Sequence, residues 1–343
     1  MSDRQPLSLI DFCTIYDGES AGRSMQRSVE LAQQAESLGY SRIWYSEHHN
    51  MGSIASSVPA VLIAHIAAHT STIRLGAGGV MLPNHSPYVV AEQFGTLAEL
   101  HPGRIDLGLG RAPGTDMNTL GRALRRDPQA AEHFPEDILE LHGYLSGNSR
   151  IPGVRAVPGD GTNVPLYILG SSMYGASLAA QLGLPYVFAS HFAPTHLEQA
   201  TKHYRENFEP SDVLDEPYCI AAVNVIADDT EEGAAEQQRK VVRNRVRSMI
   251  TRTGASITDA QLDGLVSSPQ GRQIADMLRF TAVGTTTQVR DYLEDFVKLA
   301  GADELMISPQ GPSNDHALAS IRLLAEAWEL DPAKTAGAPG TWS

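Results

Sequence analysis

Short apolar runs alternate with longer amphipathic ones along most of this chain, and the short runs tend to end in polar or glycine-rich residues. Eight of them read as strands: Leu7–Cys13, Arg42–Ser46, Thr72–Gly78, Ile105–Leu109, Pro165–Leu169, Tyr186–Ala189, Tyr218–Ile226 and Glu304–Ile307. Helical spacing fills the intervals. A first helix is predicted over about Arg23 to Leu38, with Met25, Val29, Ala32 and Ala35 on one face and Gly39 as its stop. A second starts at Ser57, carries Pro59 in its first turn and runs to His69; a third covers Tyr88 to Leu100 and stops at His101-Pro102-Gly103. Eight strands alternating with helices predict an α/β fold with a parallel sheet. Eight parallel strands close most naturally as a TIM (β/α)8 barrel with right-handed connections.

Two stretches break the rhythm. Arg111–Pro135, after the fourth strand, is polar and loop-rich. Asp228–Phe280, after the seventh, is far longer than one crossover helix and contains a charged helix, Glu231–Met249, followed by two weaker helical patterns. Both are predicted insertions, the second lying over the barrel mouth. With 343 residues the chain fits one elaborated barrel, predicted over residues 1–330, with a helical insertion at about 228–280. Asp331–Ser343, rich in Pro, Gly and Ala, is predicted as a mobile tail.

Composition narrows the partners. Asp+Glu outnumber Lys+Arg by 40 to 26, a net charge of −14, which argues against nucleic acid and anionic membrane and fits an enzyme acting on a small molecule. No apolar stretch approaches the roughly 18 residues of a membrane span. The N-terminus, MSDRQPLSLIDF, lacks a signal peptide's basic and apolar regions, so a cytoplasmic location is expected. The two cysteines, Cys13 and Cys219, sit in apolar runs and read as buried free thiols.

Chemistry gathers at the strand ends. His48 and His49 close the second strand; neighbouring side chains point to opposite faces, so either one enters the mouth as an acid–base or ligand-orienting group while the other bonds within the wall, or both are structural. Gly78-Gly79, at the end of the third strand, either lets backbone approach a planar ring or forms a bulge. Gly110-Arg111 ends the fourth; the arginine suits a phosphate or a salt bridge to an acid such as Asp116. Gly170-Ser171-Ser172 follows the fifth and opens a helix, the arrangement of an anion site or of a simple cap. His65 and His69 have metal-ligand spacing, but their helix lacks the glutamate of H-E-x-x-H and barrel helices face away from the mouth, so no metal is expected. The chain has no G-x-S-x-G, P-loop or Rossmann fingerprint.

The motifs SEHHNMGSIASS, GAGGVMLPNHSPYVVAEQF, HPGRIDLGLGRAPGTD, PLYILGSSMYGASLAAQLGLPY and FASHFAP together resemble the bacterial-luciferase-like flavin-dependent oxidoreductases, from about Leu7 to Leu324. The resemblance implies a barrel that binds reduced flavin at its C-terminal mouth. It implies that His48 is catalytic, that Gly78 and Gly79 form the pair whose peptide is commonly cis against the flavin ring, and that Arg111, Ser171 and Ser172 hold the flavin phosphate. Gly110 stands where the luciferase α subunit has a cysteine, so properties of that thiol do not transfer. The expected function is an FMN-dependent monooxygenase that uses reduced FMN and O2 to oxidise a small organic substrate. A separate NAD(P)H-dependent flavin reductase would supply the reduced FMN, and Gly78, Gly79 and Gly110 would pack on the isoalloxazine. The alternatives are a deazaflavin-dependent hydride-transfer enzyme on the same fold and a non-catalytic flavin-binding accessory subunit. The resemblance also implies a homodimer paired through the early barrel helices. The segment PAVLIAHIAAH, Pro59–His69, supports this because it is apolar almost all round.

Overall fold

The computed structural model describes residues 4–127, 129–250 and 257–333. Its strands are β1 (Leu7–Asp11), β2 (Arg42–Tyr45), β3 (Arg74–Met81), β4 (Ile105–Gly110), β5 (Leu166–Gly170), β6 (Tyr186–Phe188), β7 (Cys219–Ala227), β8 (Thr281–Gly284) and β9 (Glu304–Pro309). The helices are α1 (Ala21–Leu38), α2 (Pro59–Ala67), α3 (Pro87–Leu100), α4 (Phe134–Leu145), α5 (Met173–Leu182), α6 (Leu197–Glu206), α7 (Glu231–Ile250), α8 (Asp259–Val266), α9 (Pro269–Asp276), α10 (Thr286–Ala300) and α11 (Asn314–Trp328). Eight strands, in the order β6-β5-β4-β3-β2-β1-β9-β7, close into a parallel barrel through the β6–β7 pairing.

The ninth strand was not expected from the sequence. β7 pairs with β6 only along Cys219–Ala221 and offers its upper half, Asn224–Ala227, to β8. The insertion after β7 therefore leaves as α7, continues through α8 and α9, and returns as a strand laid beside the one it left. Asp228 N–H donates to Gly284 O at 3.1 Å and joins the two ends. The eighth barrel strand is β9.

One set of strand side chains packs outward against the helices. The other, including Ile10, Trp44, Tyr167, Val187, Ile220 and Met306, fills the barrel interior. Trp44 fits there because its neighbours are glycines: a Cβ on Gly76 would meet its Nε1 at 2.6 Å.

Below this apolar layer lies a buried ionic floor made of residues at the strand starts. Arg42 donates from Nε to Glu304 Oε1 (2.9 Å) and from Nη1 to Asp106 Oδ2 and Tyr167 Oη (both 2.8 Å). Arg74 also pairs with Asp106, Trp44 Nε1 donates to Asp106 at 3.1 Å, and Tyr218 Oη donates to Glu304 at 2.7 Å. Burial alone would raise the Asp106 carboxyl, but Arg74 and Arg42 outweigh it and hold it below the usual carboxylate range.

α1 starts at Ser20, whose side chain accepts from Arg23 N–H at 3.2 Å, and stops at Gly39 in the left-handed region (φ 88°). Its buried face differs from the expected one. Met25 points outward, while Ser24 and Ser28 turn in with Leu31, Ala32 and Ala35. Both serines are satisfied by the end of β1 and the residues after it: Ser24 Oγ donates to Cys13 O (2.6 Å) and Ser28 Oγ to Asp11 Oδ2 (2.5 Å). α2 also begins later than expected, with Val58 as its cap, and ends at Ala67. Its outer side shows Val58, Val61, Ala64 and His65. The cysteines are free and buried, and no helix of the described residues is long and apolar enough to cross a membrane. Of the C-terminal tail, residues 334–343 lie outside the described residues.

Candidate active site

β2 ends at Tyr45, so His48 and His49 lie in the loop beyond it and do not close the strand, yet the two still divide their roles. His49 Nε2 donates to Glu47 Oε1 at 2.9 Å and so belongs to the wall. Glu47 is buried. It also accepts from His85 Nε2 (2.8 Å) and the Met81 N–H (3.0 Å), and these bonds bring its carboxyl down to about 2 although burial pushes it up. His48 turns the other way. Its Nδ1 meets Ser46 Oγ at 3.1 Å, its ring lies 5.8 Å from that of Phe12, and its Nε2 has no partner among the described residues. Burial lowers the pKa of His48, and Arg245 adds to this, so the ring is neutral near pH 7 and can accept a proton.

Across Phe12 stands His191, just beyond β6, its ring 5.7 Å from that of Phe12. It is 4% exposed, and neither ring nitrogen has a hydrogen-bond partner. Burial lowers its pKa to about 3, with Arg245 and His48 contributing. Sequence reasoning did not single out His191, although the FASHFAP motif holds it and its place after a strand was the available signal. Asn224 Nδ2 of β7 fixes the backbone there by donating to His191 O at 2.7 Å.

A second corner forms where β4 and β5 end. Arg111 does not pair with Asp116, which is instead held by Asn50 and Thr119. The Arg111 guanidinium lies 4.3 Å over the ring of Tyr174, in the first turn of α5, and its Nε donates to Ala131 O at 2.9 Å. Ser171 and Ser172 precede that turn. Ser172 caps α5 with extended backbone while its hydroxyl makes no capping bond, which leaves the helix N-terminus available. Arg111 also lines an open cavity of about 380 Å³ with Pro113, Met117 and a second arginine, Arg126. Arg111, with Arg126 beside it in the cavity and the α5 N-terminus at Tyr174, is an arrangement able to receive an anion.

The glycines take a different place from the one expected. Gly78 and Gly79 lie inside β3, which continues to Met81, and not at its end; the peptide between them is cis and the register with β4 shifts there. A Cβ on Gly78 would meet Trp44 Cβ at 3.1 Å and Ile10 Cδ1 at 3.2 Å, and one on Gly79 would meet Gly108 O at 2.8 Å. Barrel packing alone thus demands glycine at 79 and leaves a tight fit for even a methyl group at 78, so a valine at Gly78 would disturb the interior before reporting on any ligand. Gly110 closes β4, where a Cβ would meet Met81 Sδ at 3.1 Å. His65 and His69 lie on the outer side, their rings 4.7 Å apart. Among the described residues no cluster of His, Cys, Asp and Glu is built to hold a metal.

The candidate residues therefore stand after β2, β4, β5 and β6, at one end of the barrel, opposite the ionic floor. The sequence model for luciferase-like monooxygenases matches residues 10–304. A luciferase-like monooxygenase of Escherichia coli (strain K12) is 44% identical over 324 residues, 94% of this chain and 96% of that protein. The N-acetyl-S-alkylcysteine monooxygenase of Bacillus subtilis (strain 168) is 42% identical over 193 residues, 53% of this chain and 56% of its own. Among solved structures, apo-MsnO8 superposes with a TM-score of 0.83 at 34% identity, covering 96% of this chain and all of its own. Two more distant structures share the fold. The oxygenating constituent of 3,6-diketocamphane monooxygenase from Pseudomonas putida, in complex with FMN, has a TM-score of 0.68 at 17% identity and covers 94% of this chain and 97% of its own. The coenzyme F420-dependent tetrahydromethanopterin reductase of Methanopyrus kandleri has a TM-score of 0.66 at 20% identity and covers 94% of this chain and 98% of its own.

Proposed function

The chain belongs to the luciferase-like monooxygenase family, and from that premise we propose that it is an FMN-dependent monooxygenase acting on a small organic substrate. The observation that carries the reading is the meeting of Arg111 with the first turn of α5. Two segments far apart in sequence build one anion-binding corner on the same end of the barrel as His48. Arg111, Ser171, Ser172 and the α5 N-terminus would hold the flavin phosphate. Bound reduced FMN, delivered by a separate NAD(P)H-dependent reductase, supplies the electrons for reduction of O2. His48 moves a proton at Nε2, fixed by the Ser46 contact on its other nitrogen. Phe12 and Phe192, the latter 4.9 Å ring to ring from His191, keep the mouth apolar and limit water.

One observation favours the deazaflavin alternative enough to include it in the test. Arg126 lines the same cavity as Arg111, and a longer acidic tail would use a second cation. The test is an absorbance titration with FMN, riboflavin and deazaflavin in both redox states. FMN should bind more tightly than riboflavin, and Arg111→Ala should weaken FMN by about 2–3 kcal/mol while leaving riboflavin unchanged. Equal binding of FMN and riboflavin to the wild type would remove the phosphate assignment, and preferential binding of deazaflavin would move the protein to the hydride-transfer class.

We also propose a homodimer through the outer side of α2, where Val58, Val61 and Ala64 leave an apolar stripe. Light scattering at micromolar concentration should give twice the chain mass; a monomer there rejects this pairing and leaves the site untouched.

A further inference from the structure

α7 carries three arginines at alternate positions, and two of them are paired with acids. Arg243 bonds Asp259 (2.8 Å) and Asp263; Arg247 reaches Asp17 (3.4 Å) and Asp259 (3.5 Å). Residues four apart share a helix face, whereas Arg245, two from each, lies on the opposite face. α7 leaves the C-terminal end of β7 and its last turns reach the loop after β1 through Arg247 and Asp17, so it lies over the rim of the barrel mouth, and the charge of Arg245 is felt there by both His48 and His191. Arg245 is half-buried and has neither a hydrogen bond nor an ion pair among the described residues. The acids that follow or end β1 and β2 are already committed, Glu47 to His49, His85 and the Met81 N–H, Asp11 to Ser28 and the Cys13 N–H, and Asp17 to Arg247.

An unpaired guanidinium packed into a protein is costly, and so is a buried imidazole with both nitrogens unsatisfied. Here the two occur at one barrel mouth, where His191 and His48 flank the apolar ring of Phe12. Both defects are relieved by the same addition, an acceptor that takes the Arg245 fork and the one N–H of the neutral His191 ring. A carboxylate offers two oxygens, one for the planar fork of Arg245 and one for an N–H of His191, and its hydrocarbon part would lie on Phe12.

We propose that Arg245 is the specificity residue of this pocket and that the substrate is a small carboxylate whose anionic group is held by Arg245 and His191 beside His48. The inference rests on the barrel mouth being the reaction chamber. The division of labour is then spatial: cofactor binding at the Arg111 corner, proton transfer at His48, and substrate choice on the insertion.

The test measures binding, with and without saturating FMN, of alkanoates from butanoate to decanoate and of their neutral amides, by calorimetry on the full chain. The wild type should bind at least one alkanoate tenfold or more tightly than its amide, and the preference should weaken as salt is raised. Arg245→Met should remove the preference, Arg245→Lys should keep part of it, and FMN affinity should stay within twofold in both variants. The proposal fails if acid and amide bind the wild type equally or not at all. It also fails if Arg245→Met keeps the preference, or if that variant loses FMN and not the alkanoate. The wild-type comparison decides the matter even if a variant does not fold. The measurement without FMN separates a failure here from a failure of the cofactor assignment.

Discussion

Replacing His48 with alanine is expected to leave a folded protein that retains flavin and loses substrate oxidation by roughly 10²–10⁴-fold, the usual contribution of a positioned acid–base group. The retained fold follows from the contacts: the ring's hydrogen-bond and aromatic partners among the described residues are Ser46 Oγ and the tilted ring of Phe12, and the His48 backbone bond to Ser56 O (3.0 Å) survives the change. The loss of rate follows from the free Nε2. Because burial, with help from Arg245, lowers the His48 pKa below its ordinary 6.5, the neutral form persists below neutrality. Wild-type activity should fall only once pH drops through that lowered value, and this limb should vanish in the variant. His49→Ala should behave in the opposite way, costing stability through Glu47 and sparing the rate. Coupled turnover assays across pH check both. Unchanged turnover in His48→Ala would end the assignment.

Arg42→Met is expected to destabilise the protein by about 3–5 kcal/mol, because removing one partner from a buried ionic cluster strands the others. Arg42 is fully buried and bonds both Glu304 and Asp106. Without it, Glu304 keeps only hydroxyl donors, Ser8 and Tyr218, among the bonds described above and at the strand start, while Asp106 keeps Arg74 and Trp44. Urea unfolding gives the difference directly. Adding Glu304→Gln to Arg42→Met should cost less than the sum of the two single changes, since the second removes the charge that the first exposed. A loss below about 1 kcal/mol in the single variant would show that the floor relaxes and takes in water.

The barrel was legible because each of its strands is a short apolar run with a polar end, and that signal is local. β8 was not. Thr281–Gly284 is four residues long, follows a helical stretch and pairs with only one strand, so nothing in its own pattern separates it from the end of the insertion. The face of α1 differs for a related reason: apolarity favours Met25 for the inner side, and only the fold shows that Cys13 O and Asp11 receive Ser24 and Ser28 there instead. At the site, His48 and Arg111 stand out because strand ends are where a barrel keeps its chemistry. Arg245 does not stand out, since α7 is dense in charge and only the fold reveals which of its arginines lacks an acid. Tyr174 has no meaning as a sequence position until Arg111 is laid over it.

The insertion's two ends meet one sheet spacing apart, with Ala227 in register with Gly284. A loop with joined ends pays little for length: each doubling adds only about 0.6 kcal/mol of closure entropy. The segment between them can be lengthened, shortened or replaced while β7 and β8 hold their register and the barrel below is undisturbed. Arg245 lies within that exchangeable segment, whereas His48 and Arg111 lie within three residues of the ends of barrel strands. Descendants of such a protein can therefore change what they accept much faster than how they react, and a graft between relatives at 227 and 284 is the natural place to redirect the enzyme.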